Sequence, residues 1–181
     1  MLVFLFVLGL AVGSFLNVLI LRLPQKESLL GFSRCRVCKK RISWFDNIPL
    51  ISFLILGRRC RSCRSSISLQ YPLVELSGGF FFLFSFMAWG TNPSLWVYVA
   101  FLSVLFLAIG LVDLRKFIIP DELLIAGLAG TLLFFIFGFT DCRILSCSVF
   151  ESVWGTSFFA GIFLAFYLFS RGRWIGFGDV K

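Results

Sequence analysis

Histidine is absent from all 181 residues. That absence removes Ser-His and Cys-His nucleophilic pairs, the HExxH metalloprotease helix and any imidazole-ligated metal. Any chemistry must come from carboxylates, thiols, lysine or hydroxyls. Charge is scarce too, at 14% of residues against 59% hydrophobic. A soluble domain carries about a quarter charged residues, so an ordinary soluble globule is excluded.

What remains is long apolar runs, each near the roughly 20 residues that a helix needs to cross a bilayer. Leu2 to Leu21 is the first, and Arg22 follows it directly. Without a basic n-region or a small-residue cleavage site it reads as an uncleaved helix with its N-terminus outside. Leu73–Trp89, Leu95–Val112, Glu122–Phe139 and Val153–Phe169 supply four more spans. The expected fold is an all-α polytopic membrane protein, with about five transmembrane helices and the start of a sixth. Its expected organisation is a first helix at 1–21, a basic tetracysteine loop at 22–72 and a membrane domain at 73–181. Gly9 and Gly13 give the G-x-x-x-G spacing that lets helices approach closely, a pattern too common to carry weight alone.

The formal charge of +8 is uneven. Eleven Lys or Arg fall between Arg22 and Pro72, against Glu27 and Asp46. Basic loops stay on the cytoplasmic side, and alternating the spans puts this loop, Arg115/Lys116 and Arg171/Arg173 together inside. Beside membrane spans, such a patch points to anionic lipid headgroups rather than nucleic acid. The same threading places Asp113 and Asp179 at one membrane face.

Within the basic loop, Cys35–Cys38 and Cys60–Cys63 are two C-x-x-C pairs separated by 21 residues, close to zinc-ribbon spacing. Four thiolates around Zn²⁺ carry net −2, which Arg34, Arg36, Arg59, Arg61 and Arg64 would offset while lowering the thiol pKa values. A reducing compartment disfavours the alternative of two disulfides. Four cysteines leave no open position on the metal, so the expected role is structural. Cys142 and Cys147, on the outer side, could form a disulfide or remain two free thiols.

Among the acids, Asp121, Glu122 and Glu75 sit near helix starts, where carboxylates complement the helix dipole. Asp113 and Asp179 fit no such role, and Gly176 and Gly178 flank the second. Two carboxylates brought together share a proton, so that one can act as base on water. Solvation at the membrane edge is the competing explanation.

These residues occur in motifs: "GSFLNVLILRLP" at Gly13–Pro24, "FDNIPLISFLILGRRCRSC" at Phe45–Cys63 and "ISLQYPLVE" at Ile67–Glu75. "DLRKFIIPDE" at Asp113–Glu122 and "GFGDVK" at Gly176–Lys181 complete the series. In this order the chain resembles the bacterial type IV prepilin peptidases. The resemblance implies a G-x-G-D aspartic protease of the bacterial inner membrane that cuts prepilins and pseudopilins after a glycine at the cytoplasmic face. It maps the catalytic pair onto Asp113 and Asp179, and a zinc site onto Cys35, Cys38, Cys60 and Cys63. It further implies N-methylation of the new terminus from S-adenosylmethionine, with no residue assigned to the methyl donor. The family runs on past G-x-G-D into a sixth helix, so the end at Lys181 is read as a C-terminal truncation, either a fragment or an incomplete active site, and little activity is expected of this polypeptide alone. The alternative function is a non-catalytic zinc-ribbon protein docking a pilus or secretion partner. Archaeal-type preflagellin peptidases lack the tetracysteine loop and fit less well.

Overall fold

The computed structural model describes residues 1–137 and 149–170. The described residues are mostly helical, with no strand beyond two isolated bridges. Six helices follow in order: α1 (Leu2–Arg22), α2 (Ile51–Ile55), α3 (Gln70–Trp89), α4 (Pro93–Lys116), α5 (Asp121–Phe137) and α6 (Val149–Ser170). Of these α1, α3 and α4 are long and apolar enough to cross a membrane. The chain divides into two compact units, Met1–Leu111 and Val112–Lys181, with α4 running across the division.

The first unit is built on an antiparallel pair, α1 against α3. The pairing is legible contact by contact. A Cβ added at Gly9 would lie 2.5 Å from the Gly78 carbonyl oxygen, and one at Gly13 would lie 2.7 Å from the Cα of Glu75. Four residues further along α1, the Asn17 amide donates to the Tyr71 carbonyl at 3.2 Å. Each step forward on α1 is therefore a step back on α3. Gly78 reciprocates, its missing Cβ falling 2.5 Å from the Gly9 carbonyl. Membrane helices gain no hydrophobic drive from lipid, so close van der Waals packing of small residues holds such pairs together. The Gly9/Gly13 spacing is thus the α1 half of a seam whose α3 half is Gly78 and Gly79. Leu16 and Ile20 are buried along the same helix.

Helix α3 begins at Gln70, earlier than Pro72 suggests, with the proline inside the first turn where its missing N–H costs nothing. It ends at Trp89, and a tight turn leads to Asn92. The Asn92 side chain then accepts the Leu95 N–H at 3.2 Å, and Pro93 occupies the first helical position of α4. This is a strong start signal, and Phe86 and Trp96 meet edge to face across the turn, 5.5 Å between ring centres.

In the second unit α4 continues through Asp113, Leu114, Arg115 and Lys116 before it breaks. The polar break is shorter than the sequence suggests. Phe117 takes a left-handed φ of 53° and its N–H returns to the Asp113 carbonyl at 2.8 Å, closing the helix. Asp121 and Glu122 open α5, in the first turn as expected for carboxylates at a helix N-terminus.

Candidate functional site: the tetracysteine insert and the α4 terminus

The segment between α1 and α3 folds as two copies of one small loop. Ser33–Ile42 and Arg58–Ile67 share the pattern Arg-Cys-Arg-x-Cys, offset by 25 residues, as Cys60 is to Cys35. In the first copy the Cys35 N–H donates to the Lys40 carbonyl at 2.9 Å, and the Lys39 N–H donates to the Cys35 carbonyl at 2.9 Å. In the second the Cys60 N–H donates to the Ser65 carbonyl at 2.8 Å, and the Arg64 N–H donates to the Cys60 carbonyl at 2.9 Å. Lys39 and Arg64 both adopt φ 59° at the equivalent bend. The bridges Arg34–Arg41 and Arg59–Ser66 close the two loops alike.

This duplication aims four thiols at one point. The sulfurs of Cys35, Cys38, Cys60 and Cys63 all lie within 4.8 Å of one another, and Cys35 Sγ is 3.8 Å from Cys63 Sγ. Tetrahedral zinc with Zn–S bonds of about 2.3 Å requires sulfur separations of about 3.8 Å. The donor set therefore fits a structural metal ion. Its electrostatics fit as well. The Cys38 N–H, assisted by that of Val37, lowers the Cys35 thiol to about 6 against the opposing effect of desolvation. The Ser65 hydroxyl and N–H likewise lower Cys63. At Cys38 the Lys40 N–H favours the thiolate, but desolvation and the sulfurs of Cys35 and Cys63 outweigh it and raise the thiol to about 11. One thiolate is easy and the next is not, which is the condition a divalent cation relieves. Backbone N–H groups and Ser65 perform the thiol activation that the sequence suggested for arginine. Arg61 instead makes a two-pronged contact with Asp46, 2.8 and 2.7 Å, and Arg41 lies over the Phe32 ring at 3.0 Å from its centre.

The insert is tied to the helix pair by polar contacts at its end of the seam. Asn17, buried on α1, receives a hydrogen bond from the Gln70 amide at 3.4 Å as well as donating to Tyr71. Glu75, 6% exposed, accepts the Leu50 N–H at 2.8 Å. Leu50 sits at φ 60°, ψ −49°, a conformation that non-glycine residues rarely adopt, and it leads directly into α2. Glu75 lies beyond the first turn of α3, so its role is this inter-segment bond and not the dipole interaction expected from its position in the sequence. Sequence reasoning missed it because the partner is a backbone amide 25 residues away.

Asp113 lies in the last turn of α4, half-buried, two residues before Arg115 and Lys116. Asp179, Gly176 and Gly178 lie outside the described residues, as do Cys142 and Cys147. The structure thus brings the four cysteines together.

Fold and thiol cluster define the class: a helical protein with three helices long and apolar enough to cross a membrane, and an insert whose four cysteines lie close enough to hold a metal ion. Comparison with known proteins refines it. Residues 7–89 match the family model described as the bacterial peptidase A24 N-terminal domain, and residues 99–181 match the type IV leader peptidase family. The chain is 44% identical over 143 residues to the prepilin leader peptidase/N-methyltransferase of Myxococcus xanthus, covering 78% of this chain and 42% of that protein. It is 34% identical over 201 residues to that of Pectobacterium carotovorum, covering 97% and 70% of the two chains. With the Klebsiella pneumoniae protein of the same name it shares 35% identity over 189 residues, 98% and 80% of the chains. No solved structure matches. The chain belongs to the type IV leader peptidase family.

Proposed function

We propose that the chain is a membrane-embedded aspartic endopeptidase that removes the leader of type IV prepilins and pseudopilins at the cytoplasmic face of the bacterial inner membrane. The observation that carries this reading is the leader-peptidase match over residues 99–181, which takes in both Asp113 and Asp179. The place of Asp113 supports it: a carboxylate in the last turn of a membrane helix, next to basic residues, where a substrate's apolar helix meets its basic leader.

In this reading Asp113 and Asp179 share one proton. The ionised partner takes a proton from water as its oxygen bonds to the scissile carbonyl carbon, and the protonated partner donates to the carbonyl oxygen. Collapse breaks the C–N bond: the leaving amine takes the proton from the carboxyl that received it, and one hydroxyl of the gem-diol returns its proton to the other aspartate as the new carboxyl forms. The reading sets α1, α3, α4, α5 and α6 as five spans, with the insert and Arg115/Lys116 on the cytoplasmic side by the positive-inside rule. It keeps the division into a first helix at 1–21, an insert at 22–72 and a peptidase region at 73–181. Cys35, Cys38, Cys60 and Cys63 would hold zinc, which supplies folding free energy to the insert and takes no part in hydrolysis. N-methylation with S-adenosylmethionine rests on the names of the relatives.

The test is leader removal from a co-expressed prepilin, read as a mobility shift. Asp113→Asn and Asp179→Asn should each abolish it. Undiminished cleavage by either variant overturns the dyad, and pilus assembly restored by Asp113→Asn favours a docking role instead.

A further inference from the structure

The insert carries an apolar surface that the metal site does not use. Ile51, Leu54 and Ile55 are spaced i, i+3, i+4 and so share one face of α2, with exposures of 54, 76 and 74%. The helical turn Trp44–Asn47 packs beside α2, and Trp44 is 80% exposed. Large apolar groups gathered on a small polar unit mark a contact surface.

The depth of this surface is fixed by two anchors. Glu75, which holds the Leu50 N–H, lies five residues after Gln70, about 7.5 Å along the axis of α3 at 1.5 Å per residue. Helix α2 therefore starts level with the second turn of a membrane-crossing helix, not out beyond its end. On the other side, the Arg22 guanidinium gathers the carbonyls of Ser28, Leu29 and Phe32 at 3.0–3.3 Å, folding the chain back against the terminus of α1. The charge of the insert is mostly of one sign. Eleven Lys or Arg from Arg22 to Arg64 face Glu27 and Asp46, and Asp46 is engaged by Arg61.

An apolar face at headgroup depth on a strongly cationic insert complements one surface, that of an anionic leaflet. We propose that α2 and the Trp44–Asn47 turn form an interfacial foot: Trp44, Ile51, Leu54 and Ile55 enter the headgroup–acyl boundary while lysines and arginines of the insert bind anionic lipid headgroups. The foot holds the tetracysteine insert against the bilayer and leaves its metal knuckles on the aqueous side. Trp in this position matches the preference of indole for membrane interfaces.

The experiment uses the full chain, zinc-loaded, in nanodiscs of phosphatidylcholine alone or with phosphatidylglycerol. Lipids brominated near the headgroup should quench a fluorescence component that Trp44→Phe removes. Amide exchange across Ile51–Ile55 should slow several-fold when phosphatidylglycerol is added. The double variant Leu54→Asp/Ile55→Asp should lose that slowing while still holding about one metal ion, which shows that the insert is folded. Equal quenching with and without Trp44 overturns the proposal, as does exchange that ignores both lipid charge and the aspartates. Protection of Ile51–Ile55 already complete in detergent also overturns it, because it places a protein surface over α2.

Discussion

Glu75 accepts the Leu50 N–H from within the α1–α3 pair, so one carboxylate sustains a strained backbone turn in the neighbouring segment. Glu75→Ala should leave that amide without a partner at a cost of about 1–3 kcal/mol, the range for an unsatisfied buried donor. The loss should be read as faster hydrogen exchange at Leu50–Ile55 with little change along α1. Asp46 offers a pH test. The two-pronged hydrogen bond from Arg61 lowers its pKa below the ordinary aspartate value, so its folded pKa lies below its unfolded one. Its contribution is therefore complete above the ordinary aspartate range and is lost as pH falls through the folded value. Asp46→Asn should lower the thermal midpoint of the insert at neutral pH, and the gap to the parent should close as pH falls below about 4. A gap that widens on acidification contradicts this. At the metal, the chain should hold about one zinc ion, and Cys35→Ser with Cys60→Ser should empty the site by elemental analysis. Retention by the double variant contradicts a four-sulfur site.

The helices show how a weak sequence signal becomes strong when its partner is seen. The Gly9/Gly13 spacing alone was ambiguous, because many membrane helices carry it; Gly78 opposite Gly9 makes it a seam. Gly78→Val should force the backbones apart and destabilise the pair by about 1–3 kcal/mol, as overpacking does. Gly161→Ala in α6, where an added Cβ meets nothing within 4 Å, should leave the midpoint in detergent unchanged. Starts and ends of helices were legible where side-chain chemistry is local. Asp121 with Glu122 marks a start by the dipole rule, whereas α4 starts at Pro93, ahead of the span expected from Leu95, because Asn92 takes the Leu95 N–H. The extension of α4 through Lys116 was not legible, since charged residues favour a break by composition while the helix bonds run on to Phe117. The clustering of the four cysteines was legible because C-x-x-C forces two sulfurs to one side of a turn. The Glu75–Leu50 bond was not, because nothing in either local sequence encodes it.

For the molecule as a whole, family membership joins two parts that the geometry describes separately: an N-terminal part with the tetracysteine insert and a C-terminal part that begins on α4. Asp113 comes from the last turn of α4, and Asp179 from the motif near Lys181. The account places hydrolysis on these two side chains and gives the four cysteines a structural task. The measurement that separates these tasks most directly is a single-turnover assay of the purified full-length enzyme in nanodiscs with a prepilin, reading products by mass spectrometry. The account predicts a cut directly after the leader glycine, lost with Asp113→Asn or Asp179→Asn even though each variant keeps its zinc. Cleavage that survives either replacement, or that stops only when the metal is removed, would contradict it.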